Sequence, residues 1–219
     1  MVNDNYVCPI SDQTHGEEIF NSITHGIGIA FSIAALVLMI VFSTIYGTTC
    51  HIVSCSIYGF SLFFLYLMST LYHSFRDIKV KRVFRILDHV AIYLLIAGSY
   101  TPYMLISLKG TWGWTIFSIV WALAIIGIAS KPFLVGKYEV LSTIMYVLMG
   151  WVAMVAFVPL INSLSWSGFA WLLGGGLAYT LGSVFFLWDR LPFNHGIWHL
   201  FVLAGSVLHF LGIMFYVVL

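Results

Sequence analysis

Charged residues are scarce in this sequence of 219 residues. Lys and Arg number 9 and Asp and Glu number 8, so that 8% of the chain is charged whereas 61% is hydrophobic. Soluble domains carry roughly a quarter charged residues because their surfaces face water. The composition therefore excludes an ordinary soluble domain and predicts a membrane protein. A formal net charge of +1 also gives no overall field that would attract nucleic acid, which we exclude as a partner.

Cysteine is also rare, with three residues in the chain. Cys50 and Cys55 are five positions apart, which places them on different faces of a helix, and Cys8 stands alone. The sequence therefore indicates neither a disulfide framework nor a thiolate metal cluster.

Long uncharged stretches predict where the chain crosses the membrane. A helix needs about 20 apolar residues to cross a hydrocarbon core about 30 Å thick. Seven stretches meet this length, and short connections with turn residues separate them, which predicts an all-α protein with one domain over residues 1–219. A short cytoplasmic segment, 1–24, precedes the first span. The predicted spans are 25–46, 51–74, 87–107, 112–130, 140–160, 166–188 and 196–219.

The distribution of Lys and Arg predicts the orientation of these spans, because cytoplasmic loops carry an excess of both residues. Five follow the second span, two follow the fourth and one follows the sixth, whereas Lys109 alone lies on the opposite side. If all seven helices cross, the N-terminus is cytoplasmic and the C-terminus is external. The eight residues on the cytoplasmic side are Arg76, Lys79, Lys81, Arg82, Arg85, Lys131, Lys137 and Arg190.

The segment before the first span contains four acids and neither Lys nor Arg. A cleaved signal peptide begins with basic residues. We therefore expect the first span to be retained in the membrane. The four acids are Asp4, Asp12, Glu17 and Glu18.

Ionisable side chains inside the spans are costly and usually mark function. The predicted orientation places His73 near the end of the second span, about 4.5 Å of helix rise from the cytoplasmic boundary. Asp88 lies at a matching depth at the start of the third span, and His195 and His199 lie near the start of the seventh. Three helices therefore bring these four side chains to one layer near the cytoplasmic face.

This layer has the composition of a zinc site. The i, i+4 spacing puts the imidazoles of His195 and His199 on one helical face, and His73 would supply the third. Three neutral imidazoles with an open fourth position are typical of catalytic zinc, whereas structural zinc sites are usually closed by four protein ligands. Asp88 is then either the fourth ligand or the group that holds a zinc-bound water. Ser69 lies four residues before His73 and repeats the spacing.

Other polar residues have weaker assignments. Glu18, Asn21 and His25 share a helical face that can approach the site from the start of the first span. The alternative is a polar helix start that faces water. His209 lies ten residues beyond His199, about 15 Å deeper, so we do not expect it to be a ligand.

Five short stretches carry a resemblance to a known family. In order and in spacing they resemble the progestin and adipoQ receptor family, and in particular its bacterial hemolysin III-like branch. The resemblance spans nearly the whole chain. The stretches are 17–28 (EEIFNSITHGIG), 69–73 (STLYH), 88–102 (DHVAIYLLIAGSYTP), 194–199 (NHGIWH) and 205–210 (GSVLHF).

The resemblance implies a zinc ion near the cytoplasmic face, bound by three histidines as in the adiponectin receptors. Carried over by motif, the ligands are His73, His195 and His199. Asp88 takes the position that holds the zinc-bound water, and Ser69 lies beside the site. The resemblance also implies seven helices with an internal N-terminus. For the animal receptors and the related alkaline ceramidases it implies hydrolysis of lipid amides.

Three functions are compatible with this reading. The first is a zinc-dependent intramembrane hydrolase that acts on a lipid amide or ester from the inner leaflet and serves lipid homeostasis in the plasma or inner membrane. Asp88 would accept a proton from water, and Ser69 would donate a hydrogen bond to the developing oxyanion. The second is a receptor or membrane-stress sensor with structural zinc. The third is a cytolysin or pore, which the hemolysin name implies although the sequence has no evident polar-lined pore.

Overall fold

A computed structural model describes residues 7–219 of the chain. Asp4 and the start of the predicted 1–24 segment lie outside these described residues. The described chain consists of helices joined by turns and short loops, with one isolated β-bridge between Val7 and Thr14. Within this range, six helical stretches are long and apolar enough to cross a membrane. The predicted all-α, multi-pass architecture is therefore confirmed.

Seven α-helices follow one another over residues 7–219. A π-helical turn at Tyr103–Leu108 extends the third, and another at Met214–Val218 extends the last. The first of these turns directly follows Pro102, whose missing N–H interrupts the regular hydrogen-bond ladder. The helices are α1 His15–Tyr46, α2 Thr49–Ser74, α3 Ile78–Pro102, α4 Gly110–Leu134, α5 Glu139–Gly150, α6 Phe157–Phe186 and α7 Asn194–Ile213.

Helix α1 begins at His15, ten residues before the start of the predicted membrane span at position 25. Thr14 and Glu17 form a capping box: the Glu17 carboxylate accepts from the Thr14 N–H at 2.8 Å, and the Thr14 hydroxyl accepts from the Glu17 N–H at 3.3 Å. Acidic residues are favourable in a first helical turn because they interact with its free N–H groups. Charge therefore marks the start of this helix, ahead of the apolar stretch predicted to cross the membrane.

Helix α3 also begins earlier than predicted, at Ile78. The Asp77 carboxylate caps it by accepting hydrogen bonds from the N–H groups of Lys79 at 2.9 Å and Val80 at 3.0 Å. Lys81 and Arg85 therefore lie inside the helix and not in a loop. Lys81 is 2% exposed. Lys131, which was also predicted to lie in a cytoplasmic loop, is 1% exposed and lies in α4. Lys81 pairs with Glu18, and the Lys131 ammonium lies over the ring of Tyr146. Counting Lys and Arg in predicted loops did not indicate these contacts.

One long helical stretch, Glu139–Phe186, covers the predicted spans 140–160 and 166–188. A 3₁₀ turn at Val152–Ala156 joins α5 to α6. Inside α6 the backbone is kinked at Ser165, where φ is 62° and ψ is 166°. A positive φ is strained for a residue with a side chain. The kink lies between the two predicted spans.

Helix α2 is packed between α1 and α7 through the side chain of Tyr66, which is fully buried. Its hydroxyl donates a hydrogen bond of 2.8 Å to the Ser206 hydroxyl of α7. On the opposite side the ring lies against Gly28 of α1, where a Cβ atom would be 2.3 Å from the ring. The site described below therefore lies in a tightly fitted bundle.

We expect Gly28→Ala to lower the free energy of unfolding by about 1–3 kcal/mol, the usual effect of overpacking a core. The Tyr66 ring cannot move aside because its hydroxyl is held by Ser206. Gly26→Ala is the matched control, since no described atom lies within 4 Å of its Cβ position. Thermal unfolding in detergent checks the difference. Equal midpoints for the two variants would contradict this packing.

Candidate metal centre

Helices α2 and α7 bring three imidazoles together. His73 lies in the last turn of α2, and His195 and His199 lie in the first two turns of α7. One ligand atom from each lies within 4.8 Å of the other two. His73 and His199 are buried and His195 is half-buried. The structure thus groups the three residues predicted as metal ligands, which are more than a hundred positions apart in sequence at the extremes.

The three rings are close because of regular helix geometry. The rings of His195 and His199 are one turn apart on α7, and their centroids are 4.6 Å apart. The centroid of the His73 ring lies 5.0 Å from that of His195 and 5.1 Å from that of His199. One nitrogen from each ring therefore lies within 4.8 Å of the other two, close enough to share one ion.

The hydrogen bonds of these rings fit a metal. Among the described residues, Nε2 of His73 and Nε2 of His195 are buried without a hydrogen-bond partner. Leaving such an atom unpaired costs free energy. Nδ1 of His73 is paired with Glu18 at 2.7 Å, and Nδ1 of His199 with the Asn21 carbonyl at 3.3 Å. Each paired ring therefore retains one nitrogen for coordination, and a set of three imidazoles suits zinc.

Asp88 lies beside this group and not within it. Its carboxyl is buried, but it is not among the atoms within 4.8 Å of one another in the described chain. It lies next to the hydroxyl of Ser69, which is fully buried. Asp88, His195 and His199 line one cavity. The arrangement brings the predicted acid and serine to the edge of the histidine group.

The cavity has a volume of about 120 Å³ and lies between α3, α5, α6 and α7. Asp88 and the two histidines of α7 are among its polar lining residues. Its walls are largely apolar, with Ile92, Ile96 and Val202 among the lining residues. This combination of an apolar wall and a few convergent polar groups is typical of small-molecule sites.

The polar face of α1 packs against this site. Glu18, Asn21 and His25 are 7%, 0% and 3% exposed, so the alternative in which this face meets water was wrong. The His25 ring stacks on the His199 ring, with centroids 3.5 Å apart and an angle of 9° between planes. The spacing of Glu18, Asn21 and His25 in the sequence had indicated that they share one face of α1. No feature of the sequence indicated that Lys81 of α3 contacts Glu18 on that face.

Two other histidines lie outside the group. The Nδ1 atom of His89 lies 2.8 Å from the Arg85 carbonyl oxygen and 4.0 Å from a carboxylate oxygen of Asp88. The ring of His209 packs over Gly175, deeper in the bundle. Neither belongs to the set of close ligand atoms found among the described residues.

The fold and the site together define a multi-pass membrane protein with a buried cluster of histidines that are placed to hold a metal ion. A family model described as "Haemolysin-III related" matches residues 13–210. The chain therefore belongs to the Haemolysin-III related family, and the resemblance found in the sequence is confirmed.

Relatives with similar sequences cover most of the chain. The chain is 53% identical over 201 residues to "Hemolysin-3" of Bacillus cereus, covering 92% of each protein. It is 50% identical over 202 residues to "Hemolysin-3 homolog" of Bacillus subtilis (strain 168), covering 92% of this chain and 95% of that one. It is 32% identical over 166 residues to "Monocyte to macrophage differentiation factor" of Homo sapiens, covering 73% of this chain and 68% of that protein.

Proposed function

We propose that this protein is a zinc-dependent intramembrane hydrolase of lipid amides or esters with a role in membrane lipid homeostasis. The observation that carries the proposal is the group formed by His73, His195 and His199, whose two α7 members line a largely apolar cavity together with Asp88. Three imidazoles leave a position open on the metal, which is the pattern of catalytic zinc.

Zinc, when held by these histidines, supplies a Lewis acid and lowers the pKa of a bound water to about 7. The protein supplies the remaining groups. Asp88 orients a water in the cavity and takes its proton, as a buried carboxylate beside the reacting atoms can do. Ser69 donates its hydroxyl hydrogen toward the oxygen that gains negative charge in the transition state. Its position next to Asp88 supports this role.

The reaction has a simple balance. The water oxygen bonds to the carbonyl carbon of the lipid, and the C–N or C–O bond breaks. The proton that Asp88 took passes to the leaving amine or alcohol, and a fatty acid remains. The apolar lining residues Ile92, Ile96 and Val202 hold the hydrocarbon chain, and Asp88 and the two histidines of α7 face the carbonyl.

The proposal includes seven crossings with a cytoplasmic N-terminus and an external C-terminus. Contacts at both ends of Glu139–Phe186 support it. Glu139 accepts a 2.5 Å hydrogen bond from Arg85, and the ring of Phe186 lies 5.5 Å from that of His195. Both ends therefore lie at the end of the bundle that holds the site, so this stretch runs out and back. The positive-inside pattern assigns that end to the cytoplasm, and the substrate enters from the inner leaflet.

The test is a hydrolysis screen with the purified protein in lipid nanodiscs. Long-chain lipid amides and the corresponding esters are supplied as substrates, and the fatty acid released from each is measured by mass spectrometry. We expect release that stops after removal of metal by a chelator and returns when zinc is added. Release that is unaffected by chelation would contradict the proposal.

Two other outcomes would replace the proposed function. Bound zinc without release from any amide or ester would favour a structural metal in a receptor or membrane-stress sensor. Leakage of vesicle contents without hydrolysis would favour a membrane-permeabilising function, to which the name hemolysin of the Bacillus relatives points.

A further inference from the structure

A buried chain of charged groups ends on one of the three histidines. Glu18 of α1 lies between His73 of α2 and Lys81 of α3: Oε2 is 2.7 Å from Nδ1 of His73, and Oε1 is 2.8 Å from Nζ of Lys81. The Ser11 hydroxyl also donates to Glu18. Lys81 donates a second hydrogen bond of 2.9 Å to the Tyr72 carbonyl. Three helices and the N-terminal segment therefore converge on a single carboxylate.

The burial of this chain indicates a purpose other than stability. The side chains of His73, Glu18 and Lys81 are 0%, 9% and 3% exposed. Removing ions from water is costly, and a buried ion pair often contributes no more to stability than well-packed apolar residues would. A carboxylate kept at this depth and directed at a metal-ligating ring is instead the usual arrangement behind a histidine ligand.

The hydrogen bond determines which nitrogen of His73 is available. A carboxylate accepts, so Nδ1 of His73 carries the proton and donates to Glu18. In the neutral ring, Nε2 then has the free lone pair. That Nε2 atom is buried without a partner in the described part of the chain, within reach of His195 and His199. The carboxylate thus fixes both the tautomer and the direction of the ring.

We infer that Glu18 is a positioning residue that holds His73 in the geometry and tautomer required for metal binding, and that Lys81 holds Glu18 in place. This inference rests on the metal centre of the proposed function. Helix α1 orients a second ligand as well, because Nδ1 of His199 lies 3.3 Å from the Asn21 carbonyl and 3.3 Å from the Thr24 hydroxyl. Docking of α1 is therefore a condition for assembling the centre, although α1 contributes none of its three ligands.

The test measures the affinity of the detergent-purified protein for Co²⁺ by competition with a chelator. Three variants are compared with the parent. Glu18→Ala removes the hydrogen-bond acceptor, and we expect a loss of affinity of about 10–100-fold, as for other groups behind metal ligands. Glu18→Gln retains an amide oxygen that accepts from Nδ1, so its loss is smaller. Glu17→Gln is the matched control, since the partners of the Glu17 carboxylate among residues 7–219 are Thr14 and the Phe193 N–H, and its affinity stays unchanged.

A spectroscopic measurement separates positioning from a general structural role. In ¹⁵N-histidine NMR of the metal-loaded parent, we expect a hydrogen-bonded Nδ1 proton on His73 that shifts in Glu18→Gln and persists in Glu17→Gln. Thermal unfolding of each metal-free protein gives the folded fraction. If Glu18→Ala does not fold, the comparison between Glu18→Gln and Glu17→Gln decides the result.

The inference is overturned if folded Glu18→Ala, or Glu18→Gln with an unchanged Nδ1 signal, binds Co²⁺ as tightly as the parent. The proposed metal centre fails by a different result, namely a folded parent that binds no Co²⁺. Tight binding by the parent together with tight binding by Glu18→Ala would therefore remove the role of Glu18 and leave the centre standing.

Discussion

Replacing His195 and His199 together with alanine is expected to abolish stoichiometric zinc binding and, with it, lipid hydrolysis. The two rings supply two of the three nitrogens that lie within 4.8 Å of one another. His73 alone cannot hold the ion in a tetrahedral site, which needs several protein ligands. Elemental analysis of the detergent-purified proteins should show near one zinc per parent chain and only background in the variant.

The control for this experiment is His209→Ala, on the same helix but outside the group of close ligand atoms. It should retain its zinc if the protein remains folded. Size-exclusion elution and thermal unfolding of the metal-free proteins establish folding. Zinc retained by the double variant would place the ion elsewhere and would remove the basis of the proposed mechanism.

Replacing Asp88 with asparagine is expected to lower kcat for lipid hydrolysis by about 10²–10⁴-fold, the usual contribution of a general base. Asparagine has nearly the same shape, but its amide cannot take a proton from water. Asp88 lies beside the histidine group and not within it, so zinc content should remain near that of the parent. The measurement is the rate of fatty acid release together with elemental analysis of the same sample.

Asp77→Asn is the control, because Asp77 is an acid of the same region that caps α3 by accepting from the Lys79 and Val80 N–H groups. Its activity should be close to that of the parent. Loss of zinc in Asp88→Asn would make Asp88 a direct ligand. Unchanged hydrolysis in folded Asp88→Asn would exclude it as the base.

Much of the site could be predicted because helix geometry converts sequence spacing into distance. Four residues separate His195 from His199, which is one turn, and counting from the charged loops placed His73 at the same depth. Both arguments need only helix rise and the position of the membrane boundary. The lateral position of Asp88 could not be predicted in this way. Depth does not determine how a helix is rotated about its axis, and that rotation leaves Asp88 beside the group.

The burial of the charged pair Glu18 and Lys81 could not be predicted from helix geometry. Hydropathy ends a predicted span at the first charge, so Glu18 and Lys81 were assigned to segments outside the membrane. In the structure they satisfy each other inside the bundle at 2.8 Å. Whether a charge is exposed or buried depends on a partner from another helix, and a single sequence does not contain that pairing.

X-ray absorption spectroscopy at the zinc edge of the purified protein tests the central claim most directly, because it reports the atoms bound to the metal. Three imidazoles predict nitrogen scatterers at about 2.0–2.1 Å with the outer-shell pattern of histidine rings, and a further light atom in the open position. His195→Ala/His199→Ala should give no such signal. A spectrum with sulfur ligands, or a folded parent without zinc, would contradict the account.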